Sequence, residues 1–369
     1  MRFPGFEGEW ELHLLSDYCH KITRKNKGNV LSNVLSNSAN QGIISQSEYF
    51  DRAIANSNNT AGYYIIEQDD FVYNPRKSTA APYGPVNVYH GGEPGIISPL
   101  YLCFKTTGIN REFLFYYFKS KAWWPYMYEN GDSGVRHDRV SIKDDVFFAM
   151  PIQLPPEKEQ LKIAQLLSLI DQRIAVQNKV IEKYESLIKA LRHHLFSTLE
   201  PVKEVSVADL LSYEQPTKYI VSDTEYSNNT DLTPVLTANK AFILGYTDEV
   251  EGIYDKGPCI ILDDFTLDSK IVEFPFKVKS SAIKILSTKT TVSLRYIFEY
   301  LKFLDLNTEE HKRHYIAEIE PMSIELPEED TIKSIAFLFD LMDKRRKGLE
   351  REQQLLKSQK DYLLREIFI

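Results

Sequence analysis

Cysteine is scarce in this chain. Cys19, Cys103 and Cys259 are far apart in 369 residues, with no CxxC spacing. This argues against a disulfide framework and a cysteine-built zinc site, and for free buried thiols in a reducing compartment. Long apolar runs are also missing. No stretch reaches the roughly 18 apolar residues of a membrane span, and the opening MRFPGFEGEWELHLL lacks the apolar core of a signal peptide. The expectation is a soluble cytoplasmic protein. An excess of positive charge is absent too: 44 Lys and Arg stand against 52 Asp and Glu, a net charge of −8. That sum is unfavourable for a nucleic-acid binder unless the charge is unevenly spread.

What the chain does have is itself, twice. Residues 150–196, MPIQLPPEKEQLKIAQLLSLIDQRIAVQNKVIEKYESLIKALRHHLF, return at 322–368 as MSIELPEEDTIKSIAFLFDLMDKRRKGLEREQQLLKSQKDYLLREIF, with no gap. Met150, Pro155, Glu157, Ile163, Ala164, Asp171, Arg173, Leu191 and Phe196 reappear as Met322, Pro327, Glu329, Ile335, Ala336, Asp343, Arg345, Leu363 and Phe368. A spacing of 172 is too long for a solenoid, whose units run to about 50 residues. It implies two domain-sized halves. With 43% hydrophobic and 26% charged residues, the chain can fill two cores and is not disordered.

Each copy opens on a short apolar segment ending in proline and continues as a long helix, since proline is tolerated in the first helical turn. In the first copy Ile163, Leu167, Ile170, Ile174, Gln177, Ile181, Tyr184, Ile188, Leu191 and Leu195 follow steps of four and three. The second gives Ile335, Phe339, Met342, Arg346, Leu349, Gln353, Leu356, Lys360, Leu363 and Ile367. This is the 3.5-residue period of a coiled-coil seam. A helix over about 157–198 would be roughly 60 Å long at about 1.5 Å per residue, and needs a partner to cover its stripe. The other copy is that partner.

The remaining segments, 1–149 and 200–321, read as variations on one domain. SPLYLCFKTTGINREFLFYYFKS predicts strand, turn and short helix, and SSAIKILSTKTTVSLRYIFEYLKF repeats that order. Phe113, Leu114, Phe115, Tyr117 and Phe118 correspond to Tyr296, Ile297, Phe298, Tyr300 and Leu301; at helical spacing these are packing residues. Charge is locally reversed. Between Lys105 and Lys143 seven basic residues face four acidic ones. Each half then carries a basic cluster before its proline motif: Arg136, His137 and Arg139 in one, Lys312, Arg313 and His314 in the other. With Arg76 and Lys77 these are the candidate DNA contacts, because arginine can clamp phosphate or bond guanine through both its donors.

The segment LPPEKEQLKIAQLLSLIDQRI, its echo LPEEDTIKSIAFLFDLMDKRR and the opening RFPGFEGEWE resemble the specificity subunit of type I restriction-modification systems, over essentially the whole chain. The resemblance implies two target-recognition domains, each reading one half of a split, asymmetric DNA target, and two repeated helices pairing antiparallel as a spacer. It implies methyltransferase subunits, two copies expected, and restriction-translocase subunits around that spacer, with S-adenosylmethionine, ATP and Mg belonging to those partners and no cofactor in this chain. In the second copy Thr331-Ile332 replace Glu159-Gln160, so the two helix starts are not expected to make identical partner contacts. The fold class is α+β. The expected limits are 1–149 and 200–321 for the recognition domains, and 150–199 and 322–369 for the helical segments.

A catalytic centre is hard to assemble from these residues. An adenine methyltransferase needs an Asn/Asp-Pro-Pro-aromatic loop, whereas Asn74-Pro75 runs into Arg76-Lys77. Gly91, Gly92 and Gly95 suit a turn before a strand. Asp263-Asp264 and Glu273 with Lys277 resemble a nuclease carboxylate-lysine set, but Glu273 and Lys277 are spaced too widely for alternate residues of one strand to converge on a metal, and His193-His194 and His311 with His314 lack a third ligand. Two classes remain: a non-catalytic DNA-recognition subunit, favoured, and a coiled-coil adaptor binding proteins instead of DNA. For the seam, a constant residue sum of 530 aligns all ten positions, setting Gln177 against Gln353 and Tyr184 under Arg346.

Overall fold

The computed structural model describes residues 2–46, 60–132, 138–239, 241–306 and 312–368. It divides into two compact units, Met1–Asn178 with Glu352–Ile369, and Lys179–Arg351.

The first unit contains β1 (Glu11–Leu14), β2 (Cys19–Lys21), β3 (Val34–Ser38), β4 (Gly42–Ser45), β5 (Tyr64–Ile66), β6 (Phe71–Tyr73), β7 (Val86–Val88), β8 (Gly95–Ile97) and β9 (Leu102–Thr106). Helices α1 (Arg111–Lys119), α2 (Trp124–Asn130) and α3 (Asp144–Phe148), strand β10 (Pro151–Leu154) and the first turns of α4 (Glu157–Ser197) follow. One sheet has the order β2-β9-β6-β7 and is antiparallel throughout. The other has the order β4-β3-β8-β5, with β3 and β8 parallel. α1 starts where Asn110 accepts a hydrogen bond from the Phe113 amide, which satisfies one of the orphan donors of the first turn. Its aromatic face joins Phe71, Phe104 and Phe147 in the core. The helical aromatics are packing residues here.

The second unit repeats this plan with β11 (Lys203–Ser206), α5 (Val207–Leu210), β12 (Leu211–Glu214), β13 (Thr233–Leu236), β14 (Ile243–Thr247), β15 (Cys259–Asp263), β16 (Ser269–Val272), β17 (Lys277–Val278), β18 (Ile283–Thr288), α6 (Leu294–Phe303), β19 (Ser323–Leu326) and α7 (Glu329–Ile367). Its antiparallel sheet has the order β12-β18-β15-β16, and a smaller sheet, β14-β13-β17, again holds one parallel pair. β1 pairs with β10, and β11 with β19, in antiparallel two-stranded ribbons. β10 and β19 begin 172 residues apart, and so do α4 and α7. Sequence repeat and structural repeat share one register.

Both long helices cross from one unit into the other: α4 supplies 157–178 to the first and 179–197 to the second, α7 329–351 to the second and 352–367 to the first. Every seam position is buried or half-buried. In the first unit the helix segments run antiparallel: Lys360 pairs with Asp171, Gln353 Nε2 donates to Asn178 Oδ1, and Gln177 Nε2 donates to Glu352 Oε2. The glutamines thus find partners one position from each other, because a neighbouring Asn or Glu at the seam edge offers an acceptor as good as an amide. Tyr184 and Arg346 depart from the expected contact. Arg346 is clamped by Asp343 and Glu350 on its own helix, which charged acceptors at i−3 and i+4 favour over a ring face.

Candidate nucleic-acid interface

The two units hold their basic residues on the same local frame. In the first, the chain leaves β6 through Asn74, Pro75, Arg76 and Lys77. Asn74 Oδ1 accepts from the Arg76 amide at 3.0 Å, fixing the bend. Gly84, at φ +84°, lies so close that a Cβ there would meet the Asn74 carbonyl oxygen at 2.1 Å, so glycine is required to hold this segment down. The returning segment docks alongside: the Val140 amide donates to Pro75 O at 2.9 Å and the Lys77 amide to Asp138 O at 2.8 Å. Arg76 and Arg139 therefore face each other across an antiparallel bridge. Arg76 is exposed, with Asp138 at 4.0 Å. Arg139 is half-buried, and its Nε has no hydrogen-bond partner.

Equivalent bonds build the second unit. Asp263 Oδ1 accepts from the Phe265 amide at 2.9 Å, as Asn74 does for Arg76. The His314 amide donates to Asp264 O at 3.1 Å, as Val140 does to Pro75. Arg313 therefore takes the place of Arg139, and Phe265 that of Arg76. The Arg313 guanidinium lies 6.0 Å from the Phe265 ring centroid, a cation–π pairing that holds an exposed arginine in place.

The other candidates separate. His314 is 2% exposed; its amide and that of Tyr315 bond Asp264 Oδ1, and its ring lies 2.7 Å from Glu318. It is a buried structural residue. Lys312 pairs with the same Glu318 at 3.0 Å. Arg136 and His137 lie outside the described residues. Asp264 also pairs with buried Lys284 at 3.2 Å, and Lys277 with Glu249 at 2.8 Å, so Asp264 and Lys277 are taken up in structural ion pairs, while Glu273 is exposed. Among the described residues no group of three His, Cys, Asp or Glu could hold a metal ion, and no helix is long and apolar enough to cross a membrane.

Three features escaped the sequence reading. Glu159 and Gln160 are buried: Glu159 accepts from the Phe3 amide and pairs with Arg2, while Gln160 accepts from the Asn110 amide and donates to Pro155 O. Lys119 and Lys302 sit at matching places on α1 and α6, each over a phenylalanine ring four residues earlier, Phe115 and Phe298. Burial lowers the pKa of both, to about 8 for Lys119. Finally, a cavity of about 180 Å³ is lined by, among others, Tyr64, Pro75, Pro99, Leu100, Tyr101 and Val140, the residue after Arg139. Only spatial proximity reveals it.

Residues 7–186 match the family described as the type I restriction modification DNA specificity domain. That stretch, 180 of the 369 residues, carries the sequence pattern of the family. Over 132 residues it is 42% identical to the Escherichia coli type I restriction enzyme EcoR124I/EcoR124II specificity subunit. That match spans 34% of this chain and 32% of the relative, about a third of its length. The crystal structure of a type I system S subunit from M. genitalium matches the specificity-subunit fold over 100% of this chain and 99% of its own, with a TM-score of 0.60 at 13% identity. A second structure, from work on complex assembly and conformational transition of the type I R-M system, aligns over 97% of both chains with a TM-score of 0.57 and 13% identity.

Proposed function

We propose that this chain is the non-catalytic DNA-recognition component of a type I restriction-modification complex. Each half reads one part of a split, asymmetric target. Residues 1–149 and 200–321 serve as the recognition domains, and the segments 150–199 and 322–369 as the spacer on which methyltransferase and restriction subunits assemble in the cytoplasm. S-adenosylmethionine, ATP and Mg are used by those partners.

The observation that carries this reading is the equivalence of Arg139 and Arg313 on one hydrogen-bonded frame built twice from different residues. A repeated cation beside a variable surface suits a protein that holds two stretches of phosphate backbone and reads different bases at each. Arg76 and Lys77 extend the basic rim in the first unit, and Lys312 in the second.

The test is duplex binding by the chain assembled with its methyltransferase, across a salt series. Replacing Arg139 or Arg313 by Ala should weaken binding of all sequences about equally and lower the salt slope by about one per arginine. Salt-independent association, or unchanged affinity and slope in both variants, would favour the protein-binding adaptor. Mapping methylated adenines in cells with and without the gene gives the target.

A further inference from the structure

Beside the segment that positions each arginine, Pro75 and Val140 in one unit and Asp264 in the other, stands a turn that both units build in the same way. In the first, Ser98 Oγ accepts from the Leu100 amide at 3.3 Å and Ser98 O from the Tyr101 amide at 3.1 Å. In the second, Ser280 Oγ accepts from the Ala282 amide at 3.2 Å and Ser280 O from the Ile283 amide at 3.4 Å. Both serines lie four residues before matching positions of the strand pairs, Leu102 opposite Tyr73 and Lys284 opposite Leu262. The turn runs directly into a central strand, β9 or β18, so its tip is held by the sheet behind it.

We propose that the tip residue of this serine-anchored turn, Leu100 in the first unit and Ala282 in the second, is a base-contacting specificity determinant, one for each half of the target. The proposal rests on the DNA-recognition reading above and assigns it a residue pair that the arginines do not include. Pro99, Leu100 and Tyr101 share a cavity wall with Pro75 and Val140, the two residues whose hydrogen bond sets Arg76 against Arg139. In the second unit the Asp264 amide donates to Ala282 O at 2.9 Å, and Asp264 in turn receives His314, next to Arg313. Tip and arginine segment are thus tied through Asp264 in the second unit, and in the first they meet at the cavity wall of Pro75 and Val140. A duplex backbone held by the arginine brings its base edges within reach of the tip.

The frame is constant and the tip is not. Leu100 is 60% exposed on its serine-anchored turn, whereas Ala282 is small and half-buried. An apolar tip can make contact with a thymine methyl group or wedge at a base step, and Ala and Leu differ in which of these they can do. Division of labour follows: the arginines hold backbone without reading it, and the tips discriminate.

The experiment uses the full chain coexpressed with its methyltransferase, and reads methylated adenines genome-wide for the wild type and for Leu100→Ala, Leu100→Gln, Ala282→Leu and Arg139→Ala. Expected is a change of about tenfold in the preference for the wild-type target over single-base variants, confined to one half of the target for the Leu100 variants and to the other half for Ala282→Leu. Arg139→Ala should lower methylation at all sites and leave the motif intact. Thermal melts check folding, and because Leu100 is exposed the two substitutions there should melt as the wild type does. If all three tip variants keep the wild-type motif and preference while Arg139→Ala lowers methylation, the proposal is wrong and the recognition reading stands. If a tip variant alters both halves, the proposal is equally wrong. A wild type that produces no methylated motif overturns the recognition reading and the proposal together.

Discussion

The ring of Phe368 lies 5.2 Å from that of Phe113, so the last turn of the second repeated helix is part of the core of the first unit. Tyr117 and Trp10 contact the same ring at 6.0 and 6.4 Å. Phe196, its equivalent in the first repeat, contacts Tyr296 and Tyr300, the counterparts of Phe113 and Tyr117, at 5.5 and 5.3 Å. Each long helix ends as an aromatic plug. Phe368→Ala should destabilise the first unit by about 3–5 kcal/mol and Phe196→Ala the second by a similar amount. Hydrogen exchange resolved by segment checks this, with the loss of protection expected in one unit for each variant.

Glu159 is fully buried and receives both Arg2 and the Phe3 amide. Its removal leaves the Phe3 amide without its acceptor and the Arg2 guanidinium without its counter-charge, with only the Glu7 carbonyl, among the described residues, to accept from it. Glu159→Ala should cost about 2 kcal/mol, while Thr331→Ala, at the exposed equivalent position in the second repeat, should fall within about 0.5 kcal/mol of the wild type. Denaturant midpoints of the two variants give the comparison.

Burial, reinforced by the charge of Lys360, lowers the Lys119 amine to about 8. In the unfolded chain the group keeps its proton to about 10.4. Between these values the unfolded state binds more protons, so stability rises with pH across roughly pH 8 to 10.4 and the cost of the buried charge is fully present below that window. Replacing Lys119 by Met should remove this cost, roughly 2–3 kcal/mol near pH 7, and the difference from the wild type should shrink towards pH 10. Unfolding curves of both proteins at several pH values provide the check.

Exchange of residues 1–149 for the corresponding segment of a relative should change one half of the methylated target and leave the other. Ile163, Leu167, Leu364, Ile367 and Phe368 pack on the core of that segment, so the donor must match these five contacts to fold. Methylated-adenine mapping of the hybrid is the measurement, and a folded hybrid with both halves altered would contradict independent reading.

The long helices and their repeat were legible because Ile163, Leu167 and Ile170 keep a period that local geometry imposes. The strand–turn–helix unit was legible for the same reason, in Leu102 to Lys119. What the pattern hides is which polar residues turn inward. Glu159 and Gln160 look like solvated helix-start residues, and become core residues because Arg2, Phe3 and Asn110 come from elsewhere in the chain to meet them. His314 resembles Arg313 in sequence, yet the Asp264 carboxylate draws its backbone in and leaves the arginine out. The parallel pairing of β3 with β8 joins residues some 60 positions apart, beyond the reach of local periodicity. Nor does the sequence place Leu100 and Val140 on one cavity wall.

The first unit is discontinuous and the second is a single run, 179–351. On the ribosome the order of completion is therefore inverted. The second unit has its whole sequence while the first still waits for residues 352–368, which follow residue 178 by roughly 10–40 s at about 5–20 residues per second. Throughout that interval Trp10, Phe113, Tyr117 and Leu167 lack the side chains that cover them. The nascent chain therefore presents an aromatic surface for as long as its second half takes to emerge, and a chaperone that recognises such surfaces has its substrate there.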